Sequence, residues 1–193
     1  MRKRQLTYRE AYDAADRIMD LDFCKKLKDR YDQLNGEASA LGVGLDFLVP
    51  TLVLDEEEMI KYVRGERPNP HGKSWTEAKR ILAVISVNDM HYRAVEILLE
   101  EGKINVYDSN VPLIDDFDLF LLVEPLMVLL PILLRESKLM NHLPKEVLMK
   151  KSWDFEGQNR GMILPKDDAA KASGSHALAH IECLLTGTKM PSQ

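Results

Sequence analysis

Three short stretches in the middle of the chain carry the clearest pattern of apolar and polar positions. Ile81–Val87 is largely apolar and rich in β-branched residues, which is typical of a strand buried on both faces. His91–Ile97 and Lys103–Tyr107 alternate between apolar and polar residues, as half-buried strands do. Turn residues at Asn88–Asp89 and Glu101–Gly102 separate the three. The pattern predicts an antiparallel meander.

The segments on either side of this meander show helical spacing. Thr7–Glu10 has the form of a capping box, and the apolar residues that follow repeat as on one helix face. We expect this helix to run to Gln33 and to end at Asn35–Gly36. Further helices are predicted over Glu56–Val63, Phe117–Ser137, Lys145–Lys150 and Ser175–Leu185. Helices before and after a small antiparallel sheet indicate an α+β fold.

Glycines at 42 and 44 mark a candidate joint in the chain. We expect residues 1–45 to form an N-terminal helical arm and residues 46–193 to form the main domain. A length of 193 residues is enough for such a domain to bury a core of its own.

Leu119–Leu134 is the one stretch that resembles a membrane span. It is shorter than the roughly 20 apolar residues that a spanning helix needs, and Glu124, Pro125 and Pro131 interrupt it. We therefore predict a buried helix pair or a kinked helix, in a protein that is soluble and not associated with a membrane.

Composition narrows the classes of function. Apolar residues make up 45% and charged residues 30% of the chain, which are values of a globular protein. The net charge of -5, with no basic block, argues against binding to nucleic acid. Met1–Arg4 is not followed by the apolar segment of a signal peptide, so we do not expect secretion. Cys24 and Cys183 form no disulfide framework and fit a reducing compartment.

Three residues form a candidate catalytic set. His91 begins the second predicted strand, and Asp108 ends the third in the sequence Val-Tyr-Asp-Ser. A carboxylate beside an imidazole fixes the tautomer and orientation of the ring. Ser173, followed by Gly174, is predicted to open the last helix, where free N–H groups stabilise developing negative charge. Taken singly, each is also explained as a structural His, a turn Asp or an N-cap Ser.

His176 and His180, four residues apart on the last predicted helix, with Cys183 three further on, have a spacing that a metal site also shows. Packing explains them better, and we predict neither a metal nor a cofactor.

The order of these features resembles the ubiquitin-like-protein-specific (SUMO) cysteine protease family, in particular its plant branch, which transposable elements often carry. The likeness covers roughly residues 47–187, and the resemblance implies a papain-like or adenain-like cysteine protease fold. Its most specific parts are Ile104–Ser109 and the final helix. The residues that carry it are Tyr62–Gly65, Pro68, Trp75, Ile81–Val87, His91, Tyr92, Ile104–Ser109 and Gly174–Gly187.

The resemblance assigns roles to the candidate residues. His91 stands where the family has its general base, Asp108 where it has the orienting carboxylate, and Ser173 where it has the nucleophilic cysteine. Ala172 replaces the Asp that precedes that cysteine, and Tyr92 replaces a Trp. The family has an oxyanion-hole Gln about six residues before the nucleophile, and residues 165–168 here contain none.

These departures indicate a cysteine-type peptidase fold whose activity is impaired. The partner implied is SUMO or another ubiquitin-like modifier, bound by a monomer in the nucleus or cytoplasm. The alternatives are a residual hydrolase, a pseudoprotease that binds the modifier without cleaving it, a transposon-derived remnant, and an engineered Cys-to-Ser substitution.

Overall fold

The computed structural model describes residues 15–49, 57–69, 72–87, 91–108, 116–158 and 169–188. A five-stranded sheet, in the order β1-β2-β3-β4-β5, forms its centre. The strands are β1 (Asp16–Ile18), β2 (Arg80–Val87), β3 (His91–Leu98), β4 (Lys103–Tyr107) and β5 (Asp154–Gln158). The helices are α1 (Leu21–Ala40), α2 (Leu45–Leu48), α3 (Glu57–Arg64), α4 (Asp116–Ser137), α5 (Lys145–Leu148) and α6 (Ala169–Thr186), with a 3-10 turn at Trp75–Glu77.

The predicted meander is confirmed. β2 pairs antiparallel with β3, and β3 pairs antiparallel with β4. Gly102 makes the second turn with a φ of 61°, in the left-handed region that glycine favours. Ile81 and Leu82 of β2 are both fully buried and face different core clusters, as expected of a strand covered on both sides.

The α+β class is confirmed, and the sheet has two strands that the sequence patterns did not predict. β1 and β5 lie at its edges, each parallel to its neighbour. The expected helix across residues 11–19 is wrong where it is described, because Asp16–Ile18 pairs with Arg80–Leu82 as a strand. Asp20 then caps α1 by accepting a hydrogen bond from the backbone N of Phe23 at 3.1 Å. The candidate capping box at Thr7–Glu10 lies outside the described residues.

The predicted helix end at Asn35–Gly36 is also wrong, because α1 continues to Ala40. Leu27, Tyr31, Leu34 and Ala38 are spaced three and four apart and are all buried. This apolar stripe holds the helix together through the turn-forming pair. α1 ends before Gly42, which has a φ of 68°.

Helix α4 is one continuous helix and not a pair, with Pro125 and Pro131 inside it. A proline removes an N–H, so Pro131 leaves the carbonyl of Met127 without its helical donor. The backbone N of Trp153 donates to that carbonyl at 2.9 Å, just before β5. α4 is long and apolar enough to cross a membrane, but most of it is buried in the core, which explains its composition.

Helices cover both faces of the sheet. The larger core cluster includes Phe23 of α1, Leu129 of α4, and Val95 and Ile97 of β3. α6 covers the other face, where Ile181 packs with Leu82 and Ala94. The division of the chain at residue 45 stays a prediction, although α1 contributes side chains to the same core as the helices and strands that follow it.

Candidate active site

The residues at the start of β3 divide between the two faces of the sheet. Side chains alternate along a strand, so His91 and Arg93 share the face of Val95, which belongs to the larger core. Tyr92 points the other way and packs in the cluster under α6. The candidate site is therefore built around one strand end that projects to both faces.

His91 and Asp108 meet as predicted. Asp108 follows β4 directly after Tyr107, which pairs with Ala94, so the register brings it opposite Arg93 and beside His91. Nε2 of His91 lies 2.8 Å from Oδ1 of Asp108. With the ring proton on Nε2, the Nδ1 lone pair is free to accept a proton, which is the arrangement that a general base needs.

Arg93 is a third member of this cluster, and the sequence analysis missed it. Its side chain is 0% exposed, and its Nε donates to Oδ2 of Asp108 at 2.5 Å. One carboxylate thus holds His91 through one oxygen and Arg93 through the other. The available signal was the charged Arg93 at an inward position between His91 and Val95, since a charge there needs a buried partner.

Ser173 lies on the α6 side of the same strand end. Its Oγ accepts a hydrogen bond from the backbone N of Tyr92 at 3.2 Å, and the residue is 0% exposed. A Cβ added at Gly174 would lie 3.5 Å from Cδ2 of Tyr92, so the helix backbone passes close to that ring. The predicted position of Ser173 at the helix start is wrong, because α6 begins at Ala169, more than a turn earlier.

No hydrogen bond joins Nδ1 of His91 to Ser173 in the described part of the chain. Nδ1 of His91 is buried and has no hydrogen-bond partner in the described part of the chain. Ser173 contacts the backbone of the neighbouring residue, Tyr92. The structure therefore joins His91 to Asp108 and joins Ser173 to the same strand, but leaves the base and the hydroxyl unconnected.

A second polar network lies farther along the sheet, under α6. Arg80 binds Asp16 through Nε at 2.6 Å and Glu96 through Nη1 at 2.9 Å, and its Nη2 donates to the carbonyl of Leu184 at 2.7 Å. Hydrogen bonds to Asp16 raise the pKa of Arg80 although burial opposes this. Arg80 therefore links β1, β3 and the end of α6.

Glu96 is the buried acceptor of this network. The hydroxyl of Tyr107 donates to it at 2.7 Å and the amide of Asn105 at 3.0 Å. Burial alone would raise the pKa of Glu96, but the hydrogen bonds from Tyr107, Asn105 and Arg80 outweigh it and lower that pKa. Glu96 is thus held as a carboxylate on the face of the sheet opposite to His91.

One histidine of α6 contributes to packing. His180 is buried and stacks on Tyr107, with ring centroids 5.6 Å apart. Among the described residues, no group of three or more His, Cys, Asp or Glu is placed to hold a metal.

A sequence model of the Ulp1 protease family, C-terminal catalytic domain, matches residues 6–193. This match spans nearly the whole chain, including both edge strands and the strand end that carries His91. The chain belongs to the Ulp1 protease family. The family assigns it the cysteine protease fold that the sequence resemblance implied, and the described sheet with helices on both faces agrees with the expected architecture.

Solved structures that are similar to the chain include a SUMO protease. The chain is similar to the SUMO protease Ulp1, in a structure with the catalytic cysteine oxidized to a sulfenic acid, with 13% identity and a TM-score of 0.42. The match covers 62% of this chain and 47% of that chain, so this family member corresponds to about half of the solved protease. No curated protein sequence matches the chain.

Proposed function

We propose that this Ulp1-family protein binds SUMO or another ubiquitin-like modifier and is catalytically impaired, with Ser173 in the place of the nucleophilic cysteine. The observation that carries the proposal is the state of Ser173. Its Oγ is buried and accepts a hydrogen bond from Tyr92, while Nδ1 of His91 has no hydrogen-bond partner in the described part of the chain. A nucleophile needs a base within hydrogen-bonding reach.

The chemistry of the hydroxyl supports the same conclusion. A cysteine thiol has a pKa near 8.5, which a neighbouring imidazole lowers, so that the thiolate exists before the substrate arrives. A serine hydroxyl forms no such resting ion pair and depends on concerted proton removal and on a complete oxyanion hole. Residues 165–168 contain no glutamine, and loss of one oxyanion donor lowers the rate by about 10² to 10³.

Family membership supports the kind of partner. Proteases of this family act on SUMO or related modifiers, and the chain keeps the family domain along residues 6–193. The proposal includes a relationship to the plant, transposon-associated branch, a monomeric state and a location in the nucleus or cytoplasm, where ubiquitin-like modifiers are attached to proteins.

The test combines cleavage and binding on one protein sample. We would measure hydrolysis of a SUMO–fluorophore substrate by the unmodified protein and by Ser173→Ala, and titrate both proteins with labelled SUMO and, separately, with labelled ubiquitin. We expect equal, background hydrolysis in the two proteins and saturable binding in both. Hydrolysis by the unmodified protein that disappears in Ser173→Ala would overturn the proposed catalytic impairment. Absence of binding to both SUMO and ubiquitin would overturn the proposed partner.

A residual hydrolase is the second candidate, and the intact bond between His91 and Asp108 favours it. In that case His91→Ala and Ser173→Ala would reduce hydrolysis to the same level, because a base and a nucleophile act as one unit. A transposon-derived remnant would show neither hydrolysis nor binding.

A further inference from the structure

We propose that the outer edge of β5 is a docking site for an extended peptide segment of a partner protein. The segment would join the sheet as a further strand and place an apolar side chain opposite Gly157. The inference goes beyond the proposed function, because it uses none of the residues assigned to the candidate active site and does not depend on binding of a modifier.

The hydrogen bonds of β5 leave one row of its backbone groups directed away from the sheet. The backbone N of Asp154 donates to the carbonyl of Gly102 at 3.3 Å. Backbone groups alternate in direction along a strand, so Asp154 and Glu156 bond towards β4. The N–H and C=O groups of Phe155 and Gly157 therefore point outward. β5 ends the sheet order, and no strand in the described ranges pairs with this row.

An apolar patch lies beside this edge, at the start of α4. Phe117 and Leu121, one helical turn apart, are 66% and 47% exposed. Phe120 lies in the same two turns and packs against Phe155 of the strand, with ring centroids 6.0 Å apart. Exposed apolar surface next to an open strand edge is a typical site for protein interaction. A strand added to β5 would bury its apolar side chains against this end of α4.

Gly157 leaves a gap in the edge strand on the same face. A Cβ added at residue 157 would lie 3.1 Å from Cδ2 of Leu119 on α4, so the helix approaches the strand where a side chain is missing. An aromatic or β-branched residue on a neighbouring strand covers such a glycine. The chemistry of the site therefore selects an extended segment with an apolar residue opposite Gly157.

The charges on the other face of β5 specify the residues between the apolar ones. The two charged side chains of β5, Asp154 and Glu156, are both acidic and are 75% and 52% exposed. Lys150 and Lys103 pair with them, but exposed ion pairs of this kind contribute little stability. A basic residue on an added strand would be a favourable cross-strand neighbour. The peptide that fits best alternates apolar residues with lysine or arginine.

The first measurement is amide hydrogen exchange of the free full-length chain, followed by NMR. The amides of Phe155 and Gly157 should exchange fast, and the amide of Glu156, which bonds towards β4, should exchange slowly. Slow exchange at Phe155 and Gly157 at every protein concentration would show that the chain itself already pairs this edge. Protection that increases with protein concentration would show that a second copy occupies it. Either result would overturn the proposal.

The second measurement adds a probe, the acetylated and amidated peptide Lys-Val-Lys-Val-Lys-Val-Lys. We expect saturable binding that slows exchange at Phe155 and Gly157 at least about tenfold and leaves Glu156 unchanged. The control peptide Lys-Lys-Val-Val-Val-Lys-Lys has the same composition but cannot present all its valines on one face, and should bind much more weakly. Absence of saturable binding up to about 1 mM alternating peptide, or binding without protection at Phe155 and Gly157, would overturn the proposal.

A double variant, Phe117→Ser with Leu121→Ser, should weaken peptide binding at least about tenfold. The matched control is Leu41→Ser with Phe47→Ser, which removes equally exposed apolar residues from another surface and should leave binding unchanged. Gly157→Pro removes an outward N–H without removing a bond to β4, a position where an edge strand tolerates proline, and should also weaken binding. Circular dichroism checks its folding, and the double variant tests the site if it does not fold. Equal binding by the double variant and its control would overturn the proposal.

Discussion

The backbone amide of Tyr92 donates a hydrogen bond to Oγ of Ser173 over 3.2 Å, which ties the start of β3 to the first turns of α6. This bond places the side chain of residue 173 directly beside the residue that follows the candidate base. It also means that the hydroxyl has a structural partner, so substitutions at position 173 affect both packing and chemistry.

Restoring the thiol alone is expected to restore little activity. Ser173→Cys provides a nucleophile but no oxyanion donor, and we expect hydrolysis of a SUMO–fluorophore substrate to stay near background. Adding Lys166→Gln or Asp167→Gln should raise the rate by about 10² to 10³ over Ser173→Cys, which is the usual contribution of one oxyanion donor. The same glutamine substitutions in the Ser173 background are the controls and should have no effect. Full activity from Ser173→Cys alone would contradict this explanation of the impairment.

Glu96→Gln is expected to destabilise the fold by about 3 kcal/mol, because it removes one partner of a buried ion pair and leaves Arg80 with reduced compensation. Glu101→Gln, at an exposed position in the turn before β4, is the control and should change stability little. Urea unfolding of both variants at neutral pH would measure the difference.

The same carboxylate should contribute to unfolding in acid. The pKa of Glu96 is lowered in the folded protein, so it binds a proton less readily there than in the unfolded chain, where its pKa is about 4.3. Its contribution to stability is therefore complete above about pH 4.3 and is lost as the pH falls through the folded-state pKa. As the pH falls through that range, the free energy of unfolding of Glu96→Gln should decrease less steeply than that of the unmodified protein. Equal slopes would contradict the assignment of this acid sensitivity to Glu96.

Two glycines should respond in opposite directions to alanine. Gly102 has a φ of 61°, and an added Cβ would lie 3.1 Å from Cγ1 of Val147 and 3.3 Å from Nε1 of Trp153. We expect Gly102→Ala to cost about 2 kcal/mol of stability. Gly36 lies inside α1 with no atom within 4 Å of an added Cβ, so Gly36→Ala should stabilise by about 0.5 to 1 kcal/mol. Thermal unfolding of the two variants checks both signs.

Asp20 accepts hydrogen bonds from two partners, so replacing it should cost more stability than replacing an ordinary N-cap residue. Its Oδ1 accepts from the backbone N of Phe23 at 3.1 Å and from the hydroxyl of Tyr62 at 3.0 Å. We expect Asp20→Ala to cost about 2 kcal/mol, at the upper end for an N-cap, because the buried hydroxyl also loses its acceptor. Asp20→Asn keeps a side-chain oxygen and should cost much less. Similar losses of stability in Asp20→Ala and Asp20→Asn would show that capping of α1 is not the main contribution of Asp20 to stability.

The central strands could be predicted from the sequence because their alternation and turn residues are local signals. β1 could not, since three residues form a strand only when Arg80–Leu82 is present beside them. The extension of α1 past Asn35–Gly36 has the same origin: the burial of Leu34 and Ala38 against distant residues outweighs a local turn preference.

The candidate site could be predicted in part for similar reasons. His91 and Asp108 were identified from strand-end positions and family resemblance, and register brings them together. Arg93 was not, because its role depends on the cross-strand pairing that places it opposite Asp108. The roles assigned to His91, Asp108 and Ser173 stay predictions, as does the boundary at residue 45.

Pro131 has no N–H to donate to the carbonyl of Met127, and the backbone N of Trp153 donates to it instead. This bond attaches the start of β5 directly to α4. Trp153 also donates from Nε1 to the carbonyl of Val147 at 3.0 Å. The start of the edge strand is therefore bonded to both α4 and α5. We therefore expect an insertion between α5 and Trp153 to leave the pairing of β5 with β4 in register, so this connection is a suitable place for a label or an affinity tag.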